Sequence, residues 1–169
     1  MQLSETIKLH MTKKQKDFIT RTMNEYIKTV NSLVSVALNV EPISRYTTAD
    51  VDANLPSALT NQCIRDAKSI IRKYEKKCHR VSAIHEKEPS VPVLRRPCCY
   101  INNQNFGIRD DRIEFPVIID GRSKRISVHT SLTDRQKQIL TDAKLGTMRI
   151  VCKGSKIVAQ IVYEVSEPG

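Results

Sequence analysis

Phosphate recognition is the chemistry that the residues of this chain supply most plainly. Lys and Arg number 28 against 18 Asp and Glu, a net charge of +10 with a pI near 9.5, and that balance makes a polyanion the leading class of partner. The densest stretch runs from Leu55 to Arg80. There Arg65, Lys68, Arg72, Lys73, Lys76, Lys77 and Arg80 meet only Asp66 and Glu75, which leaves +5, half the charge of the whole chain. Cations along one face neutralise phosphates and release counterions, so they give affinity that is blind to sequence and falls with salt. Ser57, Asn61, Gln62 and Arg65 open the same stretch, and short polar side chains with an arginine are the types that read base edges from a groove. The simpler reading of these four is a Ser57 helix cap and a solvated polar face. A further set, Lys8, His10, Arg122, Lys124, Arg125, Lys153 and Lys156, is expected to contact nucleic-acid backbone from the β-rich part of the chain.

Other chemistries find less. Metal-dependent phosphodiester cleavage requires carboxylates converging on two cations about 4 Å apart, and the acids here are scattered; Asp110, Asp111 and Asp120 read as turn formers. Gly154-Ser155-Lys156 lacks the upstream glycine of a phosphate loop and reads as a hairpin tip. Cys78-His79 and Cys98-Cys99 have no Cys-x-x-Cys spacing, and adjacent residues on a strand point to opposite faces, so zinc is not expected. Five cysteines without regular spacing fit reduced thiols, and Cys63 and Cys78 fit small core residues. No histidine is spaced with a nucleophile in a hydrolase motif. The expectation is of a protein with no catalytic residue, no metal and no cofactor.

The elements that would position the cations follow from periodicity. Leu3, Ile7, Leu9 and Met11 alternate with polar residues, a strand with one buried face, and only Glu5 breaks the pattern. Thr12 with Gln15 is a capping-box signature, and Phe18 to Leu38 hold helical spacing up to about Asn39. Residues 40–54 read as a connection with one short helical turn after Thr48. Leu59, Cys63, Ile64, Ala67, Ile70, Ile71, Tyr74 and Cys78 recur at three- and four-residue steps, so the cationic stretch is a second amphipathic helix. Two such helices are expected to pack on one another. Val81 to Pro97, with Glu86, Lys87 and Glu88 before Pro89, Pro92 and Pro97, reads as an irregular connector. From Cys98 the period becomes alternating. Turns are expected at Asp110-Asp111, at Asp120-Gly121 as type I′, and at Gly154-Ser155 as type II′, with a short helix from Thr133 to Ala143. About six short strands suggest a small barrel, and an OB-like barrel is a natural host for nucleic acid. Tyr100 and Phe106 could each stack one base but read better as barrel core. No apolar run approaches the roughly 20 residues of a membrane span and no signal-peptide core is present, so a cytoplasmic location is expected and no membrane partner.

The order of elements, with Thr12-Lys-Lys-Gln after a strand, Leu55-Pro56-Ser57 with Gln62-Cys-Ile-Arg-Asp66, and Phe106-Gly-Ile-Arg-Asp-Asp-Arg-Ile-Glu-Phe-Pro116, resembles the N-terminal half of the TnpB (OrfB) proteins of insertion sequences. These are relatives of the type V CRISPR effectors. The resemblance implies an α+β fold: an OB-like wedge barrel over residues 1–11 and 92–166, with a helical recognition lobe over 12–91 inserted after the first strand. It implies as partners a guide RNA, double-stranded target DNA and, where the nuclease domain is separate, that second chain. Gln62 matches a family glutamine at the helix end that, with the barrel, reads a short target-adjacent DNA motif. Two departures stand out. The family's catalytic residues lie in a RuvC-like domain beyond the terminal hairpin, whereas this sequence stops at Pro168-Gly169, so the expectation is of a nucleic-acid-binding part that does not cut. The basic, aromatic segment before the barrel resumes is replaced by Val91-Pro92-Val93-Leu94, with only Arg95-Arg96 keeping the charge.

The residues by themselves leave other readings open. A stand-alone DNA-binding regulator or transposition accessory protein needs the same cations and no guide. A partner-binding protein would dock its basic face on an acidic surface.

Overall fold

Alternation along the first ten residues builds the strand on which the sheet is centred. The structure, a computed structural model, describes residues 1–84 and 87–166, so Glu86 of the expected connector and the terminal Pro168-Gly169 lie outside it. Strand β1 (Gln2–His10) buries Ile7 and half-buries Leu9, and turns Ser4, Thr6, Lys8 and His10 to solvent. After it come α1 (Lys13–Asn39), a 3-10 turn at Thr48–Asp50, α2 (Ser57–Ala83), β2 (Cys98–Ile101), β3 (Gly107–Arg109), β4 (Arg112–Ile119), β5 (Arg122–Thr130), α3 (Asp134–Asp142), β6 (Lys144–Lys153) and β7 (Lys156–Glu164).

The fold is α+β, a curled antiparallel half-barrel of seven strands with three helices. Among the described residues six short strands follow from Cys98 on, in keeping with the expectation for that part, and β1 makes the seventh; β3 is a three-residue arm of the hairpin with β4. Strand order is β2-β6-β7-β1-β5-β4-β3, so β1 lies between β7, which closes the described chain, and β5. Strands β2 and β3 are the edges. Helix α1 contacts β2 near one edge and β4 near the other, and so lies across the open side. Its Ile19, Met23 and Tyr26 are fully buried and join Ile7, Ile101, Phe115, Met148 and Ile161 in one core. Each such side chain contributes roughly 1.5–3 kcal/mol by leaving water. Cys63 and Ala67 of α2 belong to the same core, so helices and sheet share it.

Capping fixes where α1 and α3 begin. Thr12 Oγ1 accepts from the Gln15 amide at 3.2 Å and Gln15 Oε1 accepts from the Thr12 amide at 3.1 Å. Gln15 Nε2 then donates to the Ser127 carbonyl at 2.8 Å, which pins the start of α1 to β5. Thr133 and Gln136 repeat the box on α3 with both bonds at 3.1 Å. Each cap contributes about 1 kcal/mol. Helix α3 is held over β1 by Glu5, the residue that broke the alternation: its carboxylate accepts from Arg135 Nη1 at 3.0 Å and from Gln136 Nε2 at 3.4 Å.

Turn chemistry follows the sequence. Asp120 (φ 50°) and Gly121 (φ 74°) are both left-handed, as a type I′ hairpin requires. Gly154 (φ 64°) supplies the positive first position of the β6–β7 turn. Asp110 (φ 52°) takes that position in the β3–β4 turn, where glycine would fit without strain.

Between α1 and α2 the chain turns back along α1, so that Tyr46, Asp50, Val51 and Asp52 flank a cleft with Glu25, Leu33 and Val36, and the Asn54 amide donates to Glu25 Oε1 at 3.2 Å. Helix α2 begins there and passes Tyr26. Lys68 Nζ then reaches the Ser44 carbonyl at 3.0 Å, beyond the end of α1, so the distal cations of α2 lie toward Asn39 rather than toward Lys13. The connector after α2 is tethered at Leu94, which packs on the core and is clamped by Asn31, whose Nδ2 donates to the Leu94 carbonyl at 2.9 Å and whose Oδ1 accepts from the Leu94 amide at 2.8 Å. Val91 and Val93 beside it are exposed.

Candidate nucleic-acid interface

Residues directly opposite on antiparallel strands share a face, and this register gathers basic side chains into one row across the sheet. Lys153 faces Lys156, His10 faces His129, Arg112 faces His129, and Arg109 faces Arg112. Strands β1 and β7 pair as far as Lys8 opposite Val158, and two residues further on His10 and Lys156 flank one cleft. The row therefore reads Lys153, Lys156, His10, His129, Arg112, Arg109 across β6, β7, β1, β5, β4 and β3, and every member is exposed. At a strand spacing of about 4.8 Å its five gaps span about 24 Å. Two acids, Asp110 and Asp111, sit in the turn at its far end; Lys137 neutralises Asp111 at 3.0 Å, and that contact pushes the Lys137 ammonium up from its ordinary value.

Four of the seven barrel-side cations expected from sequence thus come together at one end: Lys8, His10, Lys153 and Lys156. The other three do not join them. Arg122 lies seven residues before His129 on β5, about 23 Å at 3.3 Å per residue. Lys124 pairs opposite Val117 near that far end, and Arg125 gives its guanidinium to the carbonyls of Asn105 (3.2 Å) and Glu114 (3.4 Å). Sequence reasoning missed Arg109, Arg112 and Lys16. Arg109 and Arg112 are exposed residues in strands already expected, and only the pairing partner reveals that they extend the row. Lys16, on the first turn of α1, donates from Nζ to the Ser155 carbonyl at 3.3 Å and so bridges helix and hairpin.

On α2, Ser57, Asn61, Arg65, Arg72 and Lys76 are exposed at steps that keep one line along the helix, with Lys68 half-buried among them, and Lys73, Lys77 and Arg80 are exposed beside it. At 1.5 Å per residue α2 is about 40 Å long. Ser57 is not the cap: the cap position is Pro56, which has no side-chain capping bond, and Ser57 is the first helical residue. Gln62 is also not among the free polar side chains. It is half-buried, and its Nε2 donates to Asp66 Oδ1 at 3.0 Å.

Asp66 is the centre of a polar knot between the two helices. The Tyr26 hydroxyl donates to its Oδ2, and Cys63 Sγ donates to the Tyr26 carbonyl at 3.7 Å. Burial pushes the Asp66 carboxyl above its usual value, while the bonds from Tyr26 and Gln62 pull it down. Burial, then the charge on Asp66, push the Tyr26 phenol up, and the same two causes push the Cys63 thiol up. Cys99 is raised by burial as well. These thiols are held protonated in the core, which suits packing and opposes reactivity. Tyr100 is half-buried, its ring 6.4 Å from that of Tyr26 and 5.9 Å from the Arg149 guanidinium, whereas Phe106 is buried.

Among the described residues no three His, Cys, Asp or Glu side chains converge as a metal site would need, and no helix is long and apolar enough to cross a membrane. No protein-family model matches the chain, and no curated protein matches it.

Proposed function

We propose that this chain binds nucleic acid through its phosphates, as the barrel and helical part of a TnpB-like RNA-guided nuclease. In this reading the OB-like barrel grips guide RNA along the row from Lys153 to Arg109. The α1–α2 pair, a lobe inserted after β1, lies against the guide–target duplex with the line from Lys68 to Arg80. Ser57, Asn61 and Arg65, with Gln62 behind them, sit at the DNA-reading end. One observation carries the proposal: the exposed basic row crossing six strands on a single face. A structural explanation does not account for it, since outward cations at neighbouring positions repel one another and contribute nothing to the core.

The test removes three members of the row, Arg112→Ala, Lys153→Ala and Lys156→Ala together, and follows binding to RNA and to duplex DNA between 50 and 200 mM salt. Each lost phosphate contact lowers the slope of log K against log salt by about 0.9 on duplex and about 0.7 on a single strand, so a fall of about 2 to 3 is expected. An unchanged slope in the folded variant would refute the reading. RNA transcribed from beside the gene and co-purifying with the protein supports the guided reading. Protein free of RNA that binds a specific duplex supports the stand-alone regulator or transposition accessory protein.

A further inference from the structure

At the centre of the basic row the sheet is not flat. A cleft of about 290 Å³ opens between the end of β1, the first turn of α1 and the tip of the β6–β7 hairpin. That volume is at the small end of ligand pockets, which run from about 300 Å³. Its walls carry two kinds of surface. Lys8, Lys16 and Lys156 stand at the rim, all exposed, on three different elements. Leu9, Met11 and Ile157 form the floor, the first two half-buried and the third 6% exposed. Elsewhere along the row the basic side chains stand over paired strands. Here they surround an opening onto the edge of the core.

A rim of three cations above an aliphatic floor fits a ligand with one anionic and one flat apolar end. We propose that the cleft takes one unpaired nucleotide, the phosphate between Lys8, Lys16 and Lys156 and the base against Leu9, Met11 and Ile157. A duplex cannot use the floor, because its bases are stacked and paired, so this site distinguishes single-stranded or flipped-out positions from helical ones. Among the described residues Lys16 spends one of its three donors, on the Ser155 carbonyl, so the ammonium is already placed before a phosphate arrives. The ligand chemistry is a nucleoside 5′-phosphate, whether free or within a strand. The proposal rests on the nucleic-acid reading for its physiological ligand but on the cleft alone for its geometry.

The chain has four methionines, and Met23 and Met148 are fully buried, so a protein labelled with ¹³C-methyl methionine reports on Met11 directly. Met11→Leu assigns the signal. The probes are adenosine 5′-monophosphate and a ten-nucleotide single-stranded RNA, with inorganic phosphate and a blunt RNA duplex as controls. The expected result is a shift of the Met11 methyl with the mononucleotide or the single strand, and little with phosphate or duplex. Lys16→Ala and Lys156→Ala, both at exposed positions, each weaken it about tenfold, the loss of one charge-assisted hydrogen bond. Whichever probe acts at the lower concentration identifies the source. A Met11 signal unmoved by both nucleotides overturns the proposal, as does an equal shift with inorganic phosphate. RNA that binds by fluorescence anisotropy without moving Met11 sinks this site and leaves the backbone reading standing. A Met11 shift with the mononucleotide alone, and no RNA binding, does the reverse.

Discussion

Replacing Asp66 tests whether the polar knot between α1 and α2 holds the helices together. Asp66→Ala leaves the hydroxyl of Tyr26, a fully buried residue, without its acceptor, which costs about 1–3 kcal/mol. Two effects offset part of this: alanine gains about 0.5 kcal/mol in helix propensity, and a carboxylate no longer has to be desolvated. The net loss is therefore about 1–2 kcal/mol, or about 2–8 °C in melting temperature for a domain of this size. Asp66→Asn is expected to stay within about 1 kcal/mol of the parent, because its oxygen takes the Tyr26 proton and Gln62 can turn its amide to accept from the new NH₂. The two variants also separate by pH. Burial raises the Asp66 carboxyl in the folded state above its ordinary 3.8, so the native protein holds that proton more tightly than the unfolded chain. Its contribution to stability is complete below about pH 4 and is lost as pH rises through the folded value. Urea titrations at pH 4 and pH 7 should show the Asn variant gaining on the parent across that window. An Ala variant as stable as the parent, or a gap between Asn and parent that does not change with pH, would refute this account of the knot.

Three further outcomes follow from the same contacts. Gln62→Met, which keeps the length and removes the bond to Asp66, should cost about 0.5–1.5 kcal/mol in denaturant midpoint while leaving DNA affinity within twofold; a large loss of affinity without loss of stability would make Gln62 a base reader. Asp110→Gly relieves a left-handed residue and removes an acid beside Arg109 and Arg112, so it should stabilise by up to about 1 kcal/mol and strengthen anion binding, with Asp110→Asn separating charge from backbone. Asn31→Ala removes both bonds to Leu94, and the connector should become markedly more sensitive to limited proteolysis at unchanged far-UV circular dichroism.

Local signals carried most of the element boundaries. Thr12 with Gln15, Asp120-Gly121 and Gly154-Ser155 each sit where short-range hydrogen bonding or positive φ requires those residue types, so they could be placed without the fold. The second helix was legible from its apolar stripe and from its opening at Ser57, but its cap was not: Pro56 caps by position and leaves no side-chain signature. Glu5 was visible as a break in alternation, and its reason was not, because Arg135 stands 130 residues away. The basic row was illegible for the same reason. Strand order departs from chain order on both sides of β1, so the neighbours of His10 are Lys156 and His129 rather than anything near it in sequence. Exposure of a cation can be guessed from a pattern; which cations share a row depends on register between distant strands.

The central place of β1 also governs how the protein is made. Residues 2–8 of β1 pair with residues 158–164 of β7, about 150 residues later. At a synthesis rate of about 5–20 residues per second, β1 leaves the ribosome some 8 to 30 s before that partner exists. Over the same interval α1 and α2 are complete and can already pack. An unpaired strand with an apolar face is then exposed beside a finished helical pair, a nascent state suited to a holding chaperone and vulnerable to pairing with another copy. Joining β1 to β7, and so completing the sheet, is thus a late step of biosynthesis, and slowing translation near β7 should lower soluble yield more than the same pause placed near α2.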